Sequence, residues 1–97
     1  MIRHTVAFRL RHAPGSPSEA DFLSAAKTLA DIPGIQNFEQ LRQISPKNDY
    51  RFCFSMEFAD EAAYSSYNGH PDHVAFVRDR WMPEVEAFLE LDYVPLG

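Results

Sequence analysis

The chain has 97 residues, of which 45% are hydrophobic and 24% charged, so it can form a globular core and is not wholly disordered. Its 9 basic and 14 acidic residues give a net charge of −5, which argues against nucleic-acid binding because phosphate recognition needs clustered Lys and Arg. The single Cys53 excludes an internal disulfide and no apolar run approaches the ~18 residues of a membrane span, so a cytoplasmic protein without membrane contact is expected.

The first predicted elements are a strand and a helix. Residues 2–10 alternate with a period of two, which is typical of a half-buried strand. The apolar side of this strand consists of Ile2, His4, Val6, Phe8 and Leu10. After a loop with two prolines and a glycine, Ser16 is placed as the N-cap of a helix starting at Pro17, with Glu19 completing a capping box. The motif "DIPG" ends this helix, and residues 35–44 carry a weaker strand pattern.

The second half of the chain begins with the clearest strand pattern. From Tyr50 to Phe58, aromatic residues and a methionine alternate with smaller or polar side chains. A short helix follows in "DEAAYSSYN", with Asp60 as its N-cap. Another helix is predicted from Pro71, broken or kinked at Pro83 and continuing to about Phe88, and "LELDYVP" is predicted as the last strand.

This order, β-α-β-β-α-β, predicts an α+β, ferredoxin-like fold over a single domain, residues 1–97. Such a fold has a four-stranded antiparallel sheet with helices on one face. The strand residues on the opposite face are small, polar and charged, and they stay bare unless a second sheet covers them. We therefore expect a homodimer that packs sheet against sheet, a dimeric α/β barrel.

Three segments carry a resemblance to a known family. The opening "HTVAFRL", the motif Tyr67-x-x-His70-Pro-x-His73-x-x-Phe76 and the closing "DYVP" resemble the stress-responsive dimeric α/β-barrel (Dabb) family. The resemblance implies a homodimer whose two sheets close a barrel with the helices outside. It also extends, more distantly, to polyketide cyclases of the olivetolic acid type, which close a linear polyketide without a metal or organic cofactor.

The cyclase resemblance implies roles for three residues. The proposed catalytic tyrosine and histidine of those enzymes match Tyr67 and His73, and their strand-one histidine matches His4. At the position of a further histidine on the central strand, this sequence has Phe52. The resemblance thus implies His73, Tyr67 and His4 as candidate catalytic residues, whereas the departure at Phe52 leaves the substrate and the activity open.

The residues alone leave three interpretations of the histidines open. A metal could bind His70 and His73 with His4 as third ligand, but Pro71 disfavours helical geometry at His70, so no metal and no other cofactor is predicted. In the acid–base interpretation, the positive end of the helix dipole keeps His73 neutral as a base, while Tyr67 acts as an acid. In the structural interpretation, the histidines only cap a helix and fix it to the sheet.

The aromatic residues are most simply core, but together with His70 they are also the candidate lining of a ligand pocket. The candidate ligand-binding residues are Phe8, Tyr50, Phe52, Phe54, His70, Phe76 and Trp81. We expect an apolar pocket that binds a small hydrophobic or aromatic molecule. The alternatives are a cofactor-free cyclase or lyase that uses His73 as base and Tyr67 as acid, and a non-enzymatic stress-associated domain.

Overall fold

A four-stranded antiparallel sheet with helices against one face makes up the computed structural model, which describes all 97 residues. The strands are β1 (Ile2–Leu10), β2 (Gln36–Arg42), β3 (Phe52–Phe58) and β4 (Val85–Tyr93), in the spatial order β2-β3-β1-β4. This arrangement confirms the predicted ferredoxin-like α+β fold.

The helical segments begin at the predicted N-caps. They are α1 (Pro17–Ala26) with a following 3₁₀ turn (Lys27–Asp31), α2 (Glu61–Gly69), and a continuous run of α3 (Pro71–Phe76), a π-helical turn (Val77–Trp81) and α4 (Met82–Glu84). The side chains of Ser16 and Asp60 accept hydrogen bonds from the backbone N–H groups of Glu19 and Ala63, so both predicted caps are confirmed. The Glu19 carboxylate accepts from the N–H of Gly15, and not from that of Ser16 as a capping box would require.

The predicted end of the last helix is wrong. Helix geometry stops at Glu84, and Val85 is already extended, with φ −89° and ψ 123°. Strand β4 runs antiparallel to β1, from the pair Leu10–Val85 to the pair Arg3–Tyr93. Glu, Ala and Leu in this segment favour a helix, but hydrogen bonding to the edge of β1 overrides that local preference.

The central strand also starts later than its alternation suggests. It begins at Phe52, whereas Tyr50 lies in the preceding loop. The Tyr50 N–H donates to Asn48 Oδ1 and its carbonyl accepts from Gln43 Nε2. These bonds hold the Tyr50 backbone in the turn, so its side chain does not continue the row of the strand.

The core lies between the helices and one face of the sheet. The alternating residues of β1 from Ile2 to Leu10 are buried on this face, as their period of two predicts. Neighbouring strands place them in cross-strand rows: Phe52–Phe8–Phe88, then Phe54–Val6–Glu90, then Met56–His4–Asp92. The first row packs against aromatic side chains of the helices, and the other two carry polar groups at their β4 end.

The opposite face of the sheet, called here the open face, has an apolar row across all four strands. The row consists of Leu41, Cys53, Ala7 and Leu89. Leu89 and Leu91 are each 45% exposed. Leu41, at the other end of the row, is 43% exposed, so both ends of the row are open to solvent in the single chain. None of the helices is long and apolar enough to cross a membrane.

Candidate functional site

A cavity of about 200 Å³ lies between the helices and the second and third rows of the sheet. Val6, Phe54 and Met56 form its floor, and the turn Val77–Trp81 with Met82 forms part of its wall. It is mostly apolar, since 10 of its 14 lining residues are hydrophobic. Polar groups nevertheless line it as well, and they come from β1, β4 and the junction of α2 and α3.

The fold brings together six of the residues that the sequence singled out. The three candidate catalytic residues His4, Tyr67 and His73 line the cavity. Phe54, Phe76 and Trp81 of the candidate ligand-binding set line it too. They meet because His4 and Phe54 share one face of the sheet, while the others come from helices packed over it.

Four candidate ligand-binding residues lie elsewhere. Phe8 is fully buried in the first row and packs against Phe22, Phe52, Phe54 and Trp81. Phe52 is in the same row and Tyr50 in the loop before it, so neither reaches the cavity. His70 is the N-cap of α3, where its Nδ1 accepts from the N–H of Asp72. Phe8 and Phe52 are therefore core residues, Tyr50 is a loop residue and His70 is a helix cap.

His73 and Tyr67 are adjacent at the buried end of the cavity. Their ring centroids are 4.2 Å apart. His73 Nδ1 lies 3.2 Å from the Asn68 carbonyl, so Nδ1 carries the proton and Nε2 keeps its lone pair. Burial lowers the pKa of His73, and burial together with the charge of Glu90 raises that of Tyr67. At neutral pH the pair is thus a neutral imidazole and a neutral phenol, which can accept and donate a proton respectively.

Three polar atoms of the site make no hydrogen bond to the protein. The Tyr67 side chain is only 2% exposed, yet its hydroxyl makes no hydrogen bond to the protein. Nε2 of His4 and Nε2 of His73 also lack a protein partner. None of these three atoms is both fully buried and without a partner, and all three residues line the cavity, so a molecule inside it can hydrogen bond to them.

His4 is held by residues that the sequence did not identify as part of the site. Its Nδ1 lies 2.6 Å from Asp92 Oδ1 and 2.9 Å from the Tyr64 hydroxyl. The same hydroxyl donates to Asp92 Oδ2 at 2.8 Å, and Glu90 Oε1 is 3.3 Å away. This network fixes the His4 ring with Nδ1 towards β4, which leaves Nε2 for the cavity. Burial, together with the carboxylate of Asp92, raises the pKa of Tyr64 and keeps it a phenol.

Two sequence signals could have led to these residues. Tyr64 precedes Tyr67 by three positions and therefore lies on the same side of α2. Phe88, Glu90 and Asp92 alternate and so share one face of a strand, and the pairing of that strand with β1 makes it the face of His4. The second signal depends on the pairing of β4 with β1.

The His70–His73 pair, the metal site that the sequence disfavours, is not where potential metal-ligating atoms converge. His4, Glu90 and Asp92 are the residues whose ligand atoms lie within 4.8 Å of one another. His4 Nδ1 and both Asp92 oxygens are already hydrogen bonded within the network described above. Hydrogen bonding thus explains why the side chains of His4, Glu90 and Asp92 lie close together.

The lowered pKa of His73 predicts a pH-dependent stability. In the unfolded chain this histidine takes up a proton near pH ~6.5, whereas in the folded protein it does so only at lower pH. Protonation then favours the unfolded state, so the contribution of His73 to stability should fall as the pH drops below about 6.5. Urea unfolding at pH 7.5 and 5.5 should show a smaller loss for His73→Gln than for the wild type. Equal losses would contradict the burial of a neutral His73.

Comparisons with known proteins agree with this structure. A crystal structure of a Dabb family protein with a ferredoxin-like fold from Mesorhizobium loti is 70% identical, with a TM-score of 0.96, over 99% of this chain and 97% of that chain. A dimeric ferredoxin-like protein of unknown function from Thermobifida fusca is 23% identical, with a TM-score of 0.77, over 97% and 90% of the two chains. No curated protein matches this chain.

An enzyme shares the fold at low sequence identity. The hydroxynitrile lyase from Passiflora edulis is 16% identical, with a TM-score of 0.85, over 99% of this chain and 94% of that chain. At this identity the likeness concerns the fold alone. The family "Stress responsive A/B Barrel Domain" (Dabb) matches residues 2–95, which confirms the resemblance seen in the sequence. Since that match spans nearly the whole chain, the protein belongs to the stress-responsive A/B barrel (Dabb) family.

Proposed function

We propose that the protein binds a small, largely apolar molecule, of the size of a substituted aromatic ring, in the cavity between sheet and helices. The observation that carries this proposal is an apolar cavity of about 200 Å³ with unpartnered polar atoms on three buried or half-buried rings. Apolar walls favour a hydrophobic ligand, while a few convergent polar groups fix its orientation.

Two of the unpartnered polar atoms define which hydrogen-bonding groups the ligand must carry. The Tyr67 hydroxyl donates to a carbonyl or hydroxyl oxygen, and Nε2 of His73 accepts from a hydroxyl or amide N–H. A hydrogen bond from the ligand to either atom fixes the ligand's orientation and adds affinity beyond that from its apolar area. Aromatic ketones, phenols and aromatic amides match this pattern.

A thermal-shift screen with such molecules tests the proposal. We expect hits that bind the wild type but not Val77→Phe, because Val77 lines the cavity and a phenyl ring there fills it. The matched control is Val74→Phe, since Val74 is 47% exposed and lies outside the cavity. Hits that bind both variants equally well would occupy another site and would overturn the proposal.

A second candidate function is cofactor-free acid–base chemistry on the bound molecule, of the lyase or cyclase type. The specific observation in its favour is the contact between a neutral His73 and a neutral Tyr67. His73 Nε2 can remove a proton from a hydroxyl or an activated carbon, and the Tyr67 hydroxyl can stabilise the oxyanion that develops. The hydroxynitrile lyase with this fold supports the reaction class only by analogy of fold.

We also propose that the protein works as a homodimer joined through the open face. The apolar row from Leu41 to Leu89 crosses the centre of that face, and charged residues such as Arg3 and Glu57 lie towards its end. An apolar centre with a polar periphery is typical of protein interfaces. Relatives described as dimeric have the same fold.

Light scattering at micromolar concentration should therefore give twice the mass of one chain. Leu89→Arg puts a guanidinium in the middle of the apolar row and should weaken the dimer by about 100-fold or more, since that charge must be buried without a partner. Val74→Arg, an equally exposed apolar position on a helix, should leave the mass unchanged. A monomeric wild type would contradict the assembly.

A further inference from the structure

The walls of the cavity carry one formal negative charge and no formal positive charge. Glu90 lines the cavity from β4, whereas no Lys or Arg side chain does. The Glu90 side chain is half exposed, with Oε1 3.3 Å from the Tyr64 hydroxyl and 3.9 Å from His4 Nδ1. A ligand in the cavity therefore meets this carboxylate without an opposing cation.

No Arg or Lys lies within salt-bridge distance of Glu90, and three arginines pair with carboxylates elsewhere. Arg3 pairs with Glu57, Arg9 with Glu86, and Arg80 with Asp21 and Glu84. The nearest basic group is His4, and its Nδ1 already faces Asp92 at 2.6 Å. Two carboxylates thus share one imidazole, so even a protonated His4 leaves a net negative charge.

The field of Glu90 extends to the buried end of the cavity. After burial, the charge of Glu90 is the further cause that raises the pKa of the Tyr67 phenol. His73, which burial keeps neutral, adds no positive charge there. Charges interact more strongly in an apolar cavity than in water, so the sign of a ligand's charge matters.

We propose that Glu90 determines the charge selectivity of the cavity, which accepts neutral and cationic aromatic molecules and rejects carboxylates. This inference rests on the binding function proposed above. Cations gain from the Glu90 carboxylate, and the aromatic rings of Trp81 and Phe88, which also line the cavity, can add cation–π attraction. Anions gain from neither.

Three probes of nearly equal shape separate charge from size: benzamide, benzamidine and benzoate, which are neutral, cationic and anionic at pH 7. Calorimetric titration of the wild type should show benzamidine binding at least as tightly as benzamide, and benzoate at least about 10-fold more weakly. In Glu90→Gln, which keeps an oxygen that can accept from Tyr64, benzoate should gain about 10-fold relative to benzamide. Benzamidine should lose a similar factor.

Glu61→Gln is the matched control, because it removes the same charge from an exposed position at the start of α2 that does not line the cavity. This variant should leave the order of the affinities for the three probes unchanged. Equal binding of benzoate and benzamide to the wild type would overturn the charge selectivity but not the binding function. An unchanged order in Glu90→Gln would overturn the role of Glu90. Failure of all three probes to bind would overturn the proposed binding function itself.

Discussion

Phe8→Ala is expected to lower the free energy of unfolding by about 3–5 kcal/mol. The Phe8 ring is fully buried at the centre of the sheet and contacts the rings of Phe22, Phe52, Phe54 and Trp81. Its removal leaves a void between sheet and helices that these rings can fill only in part. Domains of this size are stable by only ~5–15 kcal/mol, so the loss is a large part of the total. Urea unfolding measures it.

The matched control is Phe88→Ala, on the residue that lies directly beside Phe8 on strand β4. Phe88 is 51% exposed, so the same substitution should cost only about 1 kcal/mol. Ligand affinity should show the opposite order, with the larger loss in Phe88→Ala, because Phe88 lines the cavity and Phe8 does not. Phe88→Ala should weaken ligand binding several-fold at nearly full stability. Equal stability losses in the two variants would contradict the assigned positions of the core and the cavity.

His73→Gln is expected to reduce turnover by about 100-fold or more if the protein catalyses proton transfer. Glutamine keeps a donor for the Asn68 carbonyl but has no lone pair on nitrogen to act as a base. The free energy of unfolding at pH 7.5 should therefore change by less than about 1 kcal/mol. Steady-state kinetics on a substrate found among the cavity ligands, with urea unfolding alongside, measures both quantities.

The matched control for chemistry is His12→Gln, at a histidine outside the cavity. His12 Nε2 lies 2.7 Å from Glu84 Oε1, so this variant should lose up to about 1 kcal/mol of stability and no activity. Should His73→Gln instead lose stability and retain turnover, His73 would be a structural residue.

Tyr67→Phe tests whether the Tyr67 hydroxyl binds a ligand or stabilises the fold. This hydroxyl has no protein partner, so the variant should be as stable as the wild type, while affinity for a ligand carbonyl should fall by roughly 5- to 10-fold. A marked loss of stability would mean that the hydroxyl has a partner inside the fold.

Local sequence patterns predict most of the fold because strands and helix caps depend on neighbouring residues. The alternation in β1 predicts its buried face, and Ser16 and Asp60 predict the starts of two helices. The same patterns fail for the first part of β4, residues 85–88, where Glu and Ala suit a helix. Only pairing with β1, far away in the chain, makes this segment a strand.

The candidate site, like the fold, could be predicted from the sequence only in part. The sequence by itself determined which face of the sheet His4, Phe8 and Phe54 share, because a period of two assigns the face. Which of these residues lines the cavity was decided by the tertiary structure, since the helices pack tightly over Phe8 and leave a cavity over Phe54 and His4.

The electrostatics of the site were likewise decided by tertiary structure. Tyr64, Glu90 and Asp92 surround His4 only because β4 lies beside β1 and α2 packs over that edge. Residues up to 88 positions apart in the chain thus form one hydrogen-bond network. Sequence patterns act over a few residues and assign a face, whereas a charge or a cavity depends on which segments pack together, and the whole chain determines that packing.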